Sequence, residues 1–302
     1  MPLILPPPLQ RWVEATAAAL LHPPGGPAID FAQPLGEPAL VPPDSLSWRI
    51  FKNPVALFTG GVAAVVLELA EPRVRTGVWE HTTFRTDPLG RLQRTGLAAM
   101  VTVYGPRGVA ERMIAGVSRA HGAVRGTTPG GLPYSASDPE LLCWVQATAL
   151  FGFAEGYSRH VRPLTEGEVD RLHAEAIPAA RLYGAEAAPP SAAATRDLFT
   201  AMRDRLEPSP ILAEFLRIMR AAPILPPPLR PVQHLLLRAG VELVPGWVRE
   251  RLGLGRGEGL RPWERPLVRS IGALADRLVL RGGPAAQSCL RLGLSADHLY
   301  RG

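Results

Sequence analysis

The 302-residue chain is long enough to bury a substantial core, and its 46% apolar content is that of a folded protein rather than a disordered one. Its net charge of +6 is spread without a run of like charge, and its aromatic residues, 6% of the total, are not interleaved with basic ones, which argues against a nucleic-acid platform. Lys52 is the sole lysine among 33 basic residues, so an arginine-favouring composition accounts for the basicity more simply than a polyanionic partner does.

From the N-terminus, residues 1–46 read as a Pro/Gly-rich arm with one helical piece at 9–21, packed over a helical domain of residues 47–302. The first eight residues lack the basic start and apolar centre of a signal peptide, and Cys143 and Cys289 are isolated thiols, so a cytoplasmic location is the expectation. The run 54–70 is strongly apolar, but it carries Gly60, Gly61 and Glu68 and is short for a span, which predicts a buried core helix rather than a transmembrane one. Peripheral contact with a membrane through this or another apolar face stays open.

Further helices are predicted at 88–104, 109–124, 138–160, 166–183, 195–206, 210–221, 229–240, 245–252 and 263–281. Strand-type alternation is nearly absent, so the fold class is all-α, a single large multi-helix globular domain. Ser137 or Asp138 is the expected N-cap of the 138–160 helix, and Thr165 with Glu168 forms a capping-box pattern. The loop 127–131 is expected to lie between two neighbouring helices, and 185–194 reads as a surface linker.

Three readings concern chemistry. On a helix, Arg91 shares a face with Arg94 and Thr95, and a guanidinium pair beside a hydroxyl suits carboxylates or a polarised oxygen, or else a solvated surface. His121, with Val117 and Val124 along one side, suits either axial ligation of iron or a hydrogen-bonded core position. Trp79-Glu80-His81-Thr82 reads as a loop or helix terminus, and the other histidines (22, 160, 173, 234 and 298) read as surface residues. Gly60-Gly61 fits neither phosphate-loop pattern and reads as a close-packing device, and no nucleophile elbow is present.

In order along the chain, Gly60-Gly61, Ala70-Glu71-Pro72, Gly77-Val78-Trp79-Glu80-His81, Phe84-Arg85-Thr86-Asp87-Pro88, Arg91-Leu92-Gln93-Arg94-Thr95, His121 to Gly126, Tyr134 to Pro139 and Trp144 to Thr148 resemble the haem-dependent oxygenase family of the latex-clearing rubber oxygenases and the mycophenolic-acid-type (MpaB-like) oxygenase. The resemblance covers roughly residues 48–280. It implies an all-helical fold holding haem b, with His121 as the proximal iron ligand, Arg91 and Thr95 as cofactor-positioning and catalytic residues, and Arg94, where the rubber enzymes can carry a distal lysine, as a third catalytic residue. The implied partners are O2 and an apolar, isoprenoid-like substrate.

Two positions depart from the family pattern: Glu71 stands in Ala-His-Pro and Gln146 in Trp-Val-His. Neither side chain replaces imidazole as an iron ligand. The same residues are compatible with a second function, a non-catalytic helical protein that binds haem or a hydrophobic ligand, and with a third, a cofactor-free α-protein in which Arg91 and Arg94 pair with carboxylates.

Overall fold

The computed structural model describes residues 2–3, 5–23 and 25–301, with the side chain of Arg256 outside the description. Its order is α1 (Pro7–Ala19), α2 (Leu46–Phe51), α3 (Pro54–Ala70), α4 (Pro72–His81), α5 (Pro88–Tyr104), α6 (Arg107–Gly122), β1 (Arg125–Thr127), β2 (Pro133–Ser135), α7 (Pro139–His160), α8 (Glu166–Leu182), α9 (Ala192–Met202), α10 (Pro210–Ala221), α11 (Arg230–Leu243), α12 (Gly246–Arg251), α13 (Glu264–Ala275) and α14 (Pro284–Arg291). The fold is all-α apart from one two-stranded ribbon. Many of the prolines open helices: α1, α3, α4, α5, α7, α10, α11 and α14 each carry proline in the first two positions, where the missing N–H costs nothing.

α3 is the axis of the molecule, packed mainly on α7 and α11 and also touched by α2, α4, α10 and α13. That enclosure explains why it is apolar nearly all round. Gly60 lies against the backbone of Gly152 and Phe153, and Gly156 against Ala56 and Thr59, so glycines on both helices let α3 and α7 approach antiparallel at backbone contact. Gly240 of α11 seats against Val62 and Thr59 in the same way. The close-packing reading therefore holds at Gly60, whereas a side chain at Gly61 would meet nothing.

Around this axis the core has two large lobes. One joins Trp144, Phe199, Phe215 and Phe84 with the aliphatic residues of α3, α10 and α11, and the other joins Trp48, Tyr104, Phe51 and Tyr157 with α5 and α8. The 31–37 part of the arm is fixed: Arg291, itself buried, donates to the carbonyls of Phe31 (2.6 Å), Glu37 (2.8 Å) and Tyr104 (2.7 Å). Lys52 pairs with Asp276 at 3.0 Å.

The capping expectations are met, with Asp138 accepting from Glu140 N and Thr165 and Glu168 forming the reciprocal box. Other expectations are corrected. The loop 127–131 does lie between two helices, α6 and α7, but it turns a hairpin of two short strands that the sequence reading lacks, Arg125 pairing with Ser135 and Thr127 with Pro133. The 185–194 stretch is anchored, since Ala185 and Ala188 are buried beside Cys143 and Ala180. α2, α4 and α14 fall where no helix is predicted, and α13 ends at Ala275 rather than 281.

Candidate functional site

α3 and α4 meet at a bend of 109°, and Glu71 makes the corner. Its buried carboxylate accepts from Val74 N at 2.8 Å, capping α4, and pairs with Arg73 Nε at 2.7 Å. Glu71 is thereby committed to structure.

At the far end of α4, Glu80 and His81 meet on one atom. Tyr134 Oη, delivered by β2, donates to Glu80 Oε2 at 3.2 Å, so the His81 Nε2–H is left to point at the same oxygen at 3.0 Å. The motif lies at a helix terminus, one of the two placements its sequence allows, and Tyr134, which the spacing does not reveal, joins its acid to its imidazole. Burial and the Glu80 carboxylate raise the Tyr134 phenol above its ordinary value.

Arg91, Arg94 and Thr95 occupy the first half of α5. Arg91 Nη1 donates to Thr95 Oγ1, and Thr95 Oγ1 donates to the Arg91 carbonyl at 2.9 Å, so the pair is pre-organised within one helical turn. Arg94 is engaged differently, donating to Thr83 Oγ1 at 2.6 Å and reaching Asp87 at 3.4 Å, which ties α5 to the turn that precedes it.

His121 stands in the last turn of α6, the helix packed on α5. Its imidazole is half-buried, and burial together with the charge of Arg91 lowers its pKa, keeping the ring neutral at pH 7. Rings of five other histidines are occupied: His22 by Ala18 O, His81 by Tyr134, His160 by Thr59, His173 by Pro189 O and His234 by Arg220 O. His160 and His173 are buried core residues, not the surface residues their isolated spacing implies, because polar atoms of neighbouring segments satisfy them in the interior. His121 has no such partner among the described residues. One turn before it, the buried Ser118 Oγ also lacks a hydrogen bond.

Sequence spacing does not single out Glu68. This half-buried carboxyl on α3 is coupled electrostatically to Arg91, and burial pushes its pKa up to about 7 against the opposing pull of that guanidinium. Arg91 is thus the hub, sensing Glu68 from α3, Arg94 from its own helix and His121 from α6. On α7, the half-buried Gln146 makes no side-chain hydrogen bond with the described residues.

Two clefts lie elsewhere. One of about 580 Å³ is lined by Trp79, Glu80, Arg85, Glu214 and Arg217 among others, and one of about 450 Å³ by Pro38, Leu40, Arg107, Leu292 and Leu294 among others. Among the described residues no three His, Cys, Asp or Glu side chains converge as a multidentate metal site requires. A haem iron, whose equatorial ligands come from the porphyrin, needs one axial side chain.

Fold and residues together define a helical protein in which His121, without a hydrogen-bond partner among the described residues, neighbours Arg91 and its partner Thr95. Residues 48–276 match the family described as ER-bound oxygenase mpaB/B'/rubber oxygenase, catalytic domain, and the chain belongs to that oxygenase family. No curated protein and no solved structure matches the chain significantly.

Proposed function

We propose that the protein is a haem b-dependent oxygenase acting with O2 on an apolar, isoprenoid-like substrate, in the cytoplasm. The observation that carries this reading is His121: a half-buried imidazole, its pKa lowered by burial and by Arg91, that has no hydrogen-bond partner among the described residues and stands one turn from the Ser118 hydroxyl, which has none among them either. That donor set fits a haem, because an axial ligand must be unprotonated and a guanidinium suits a propionate.

In this reading His121 would hold the haem iron, and the haem when bound would supply the binding and activation of O2. Arg91, fixed by Thr95, would orient the cofactor by hydrogen bonding, while Glu68 offsets its charge. Arg94 contributes positive potential and holds the 83–87 turn. The family is described as that of an ER-bound oxygenase; among the described residues no single helix is long and apolar enough to cross a bilayer. α3 and α4 reach that length and apolarity only together, as a pair bent by 109°, and α3 is wrapped by its neighbours.

The test is an absorption spectrum of protein expressed with added haem, followed by oxygen uptake with apolar substrates. A Soret band that His121→Ala abolishes, together with substrate-dependent uptake, is the expected result. No Soret band even after reconstitution sinks the haem reading, and normal haem content in His121→Ala rejects the ligand. Haem without uptake leaves a binding protein.

A further inference from the structure

Gly60 turns toward α7, so at about 100° per residue Leu57, Gly61, Val65 and Glu68 form the neighbouring stripe of α3. Gly152 turns toward α3, and the corresponding stripe of α7 holds Gln146, Ala149 and Phe153. Because the helices are antiparallel, both stripes face the same side of the pair. The contacts of Gly60 with Gly152 and of Ala56 with Gly156 set the register, which brings Gln146 within about one turn of Glu68. All seven residues of the two stripes are half-buried, whereas Gly60 and Gly152 between them are buried.

α5 closes this side. Arg91 is coupled to Glu68, and Tyr104 Oη donates to Trp48 O at 2.6 Å just ahead of α3, so α5 runs antiparallel to α3. Ala98, two turns on from Arg91, therefore comes to the level of Gly61. Leu57 and Phe153 pack into the lobe of Trp48 and Tyr104, and Val65 packs into the lobe of Trp144. The small residues Gly61, Ala98 and Ala149 belong to neither lobe, and a side chain at Gly61 would meet nothing within 4 Å. Three helices thus leave a slot between the lobes, running roughly 16 Å from Leu57 to Glu68 at 1.5 Å per residue. Its far end is polar. There Arg91 is held by Thr95 and offset by Glu68, while the Gln146 amide has no hydrogen-bond partner among the described residues.

We propose that this slot takes the substrate as a linear apolar chain ending in an uncharged oxygen group, an alcohol or a carbonyl, with Gly61, Ala98 and Ala149 setting its width and Gln146 binding the oxygen. An amide donates to a carbonyl and exchanges both roles with a hydroxyl, which makes Gln146 the specificity-determining residue for that end. A carboxylate is a poorer occupant, because Glu68 already answers the charge of Arg91. The chain itself is held by apolar contact, which small side chains permit and large ones would block. Calling the ligand the substrate rests on the oxygenase reading; the slot and its polar end do not.

The experiment is isothermal titration of the full chain, expressed with added haem, with farnesol and with farnesene, which has the same carbon skeleton and no hydroxyl. Both should bind, farnesol roughly tenfold more tightly, as one satisfied hydrogen bond allows. Gln146→Leu should lower farnesol to the affinity of farnesene and leave farnesene unchanged. Gly61→Leu should abolish binding of both while the melting temperature and any Soret band stay at the wild-type level, and Ala149→Leu supplies a second block from the facing helix. Equal affinity for alcohol and hydrocarbon overturns the proposal, as does a preference that survives Gln146→Leu or binding that survives both leucine variants. Loss of the Soret band in Gly61→Leu also overturns it, by giving the slot to the cofactor. Binding is read without turnover, so a protein that lacks haem but keeps the Gln146-dependent preference refutes the haem reading and supports this one.

Discussion

Gly60→Ala and Gly61→Ala should move stability in opposite directions although they are neighbours on one helix. A methyl on Gly60 would arrive 2.6 Å from the Gly152 carbonyl oxygen, 2.8 Å from its carbonyl carbon and 2.9 Å from Phe153 Cα. All three atoms are backbone of α7, so no side chain can rotate away. Carbon contacts relax near 3.5–4 Å, so α3 and α7 must separate locally by about 1 Å. Overpacking of this kind costs about 1–3 kcal/mol, and the upper end applies where backbone meets backbone, while the better helix propensity of alanine returns about 1 kcal/mol. The net loss is about 2 kcal/mol. At Gly61 nothing lies within 4 Å of the added carbon, which leaves only the gain of up to about 1 kcal/mol. With an unfolding entropy of about 2.1 cal/mol/K per residue, a chain of this length converts these into a Tm about 3 °C lower for Gly60→Ala and about 1.5 °C higher for Gly61→Ala. Differential scanning calorimetry on both variants is the assay. A Gly60→Ala protein as stable as the wild type, or a Gly61→Ala protein destabilised to the same degree, would refute the account of the α3–α7 contact.

Glu68→Gln should change how stability depends on pH. The folded pKa near 7 lies above the ordinary value of 4.5, so the folded state binds more protons than the unfolded one and stability falls as pH rises through that window; the variant, lacking the proton site, should show a flatter profile and exceed the wild type at pH 8 by on the order of 1–2 kcal/mol in urea denaturation. Parallel wild-type and variant profiles would contradict the buried-carboxyl argument. Arg291→Met strips three carbonyls of their buried donor and should cost about 3 kcal/mol, with limited proteolysis opening the arm around residues 31–41; an unchanged cleavage pattern would mean that other contacts hold the arm.

Helices with strong local signals were legible in the chain. α5 and α10 begin and end where the prolines and apolar spacing place them, and Thr165 with Glu168 marks the start of α8. α2 was not legible, because six residues are too few for a period; it is held by tertiary contacts, with Ser45 capping it and the buried Trp48 donating to Val41 O. α4 was lost for another reason. Its mixed composition has little amphipathic pattern, and its boundaries come from the Glu71 cap and the bend after α3. Arg91, Thr95 and His121 could be picked out as residues, but their neighbourhood could not. Spacing reports one helix at a time, whereas the coupling of Arg91 to Glu68 and His121 spans three. The occupied rings of His160 and His173 were hidden likewise, since their partners lie 101 and 16 residues away.

The two departures from the family pattern have different structural consequences. At position 71 the carboxylate does what a neutral imidazole does poorly, since it caps α4 through Val74 N, binds Arg73, and through Arg73 reaches Glu140 at the start of α7. That chain of contacts fixes the corner between α3 and α4, so Glu71 is unsuited to serve as a mobile base. Position 146 is the reverse case, a half-buried amide on α7 with no hydrogen-bond partner among the described residues. An amide can both donate and accept, so Gln146 is free to meet a polar ligand atom in a way that Glu71 is not. A search for what this chain does differently from its family therefore belongs at Gln146 and at the Glu68–Arg91 couple. Glu71→His, by contrast, should first register as a loss of helix capping and stability.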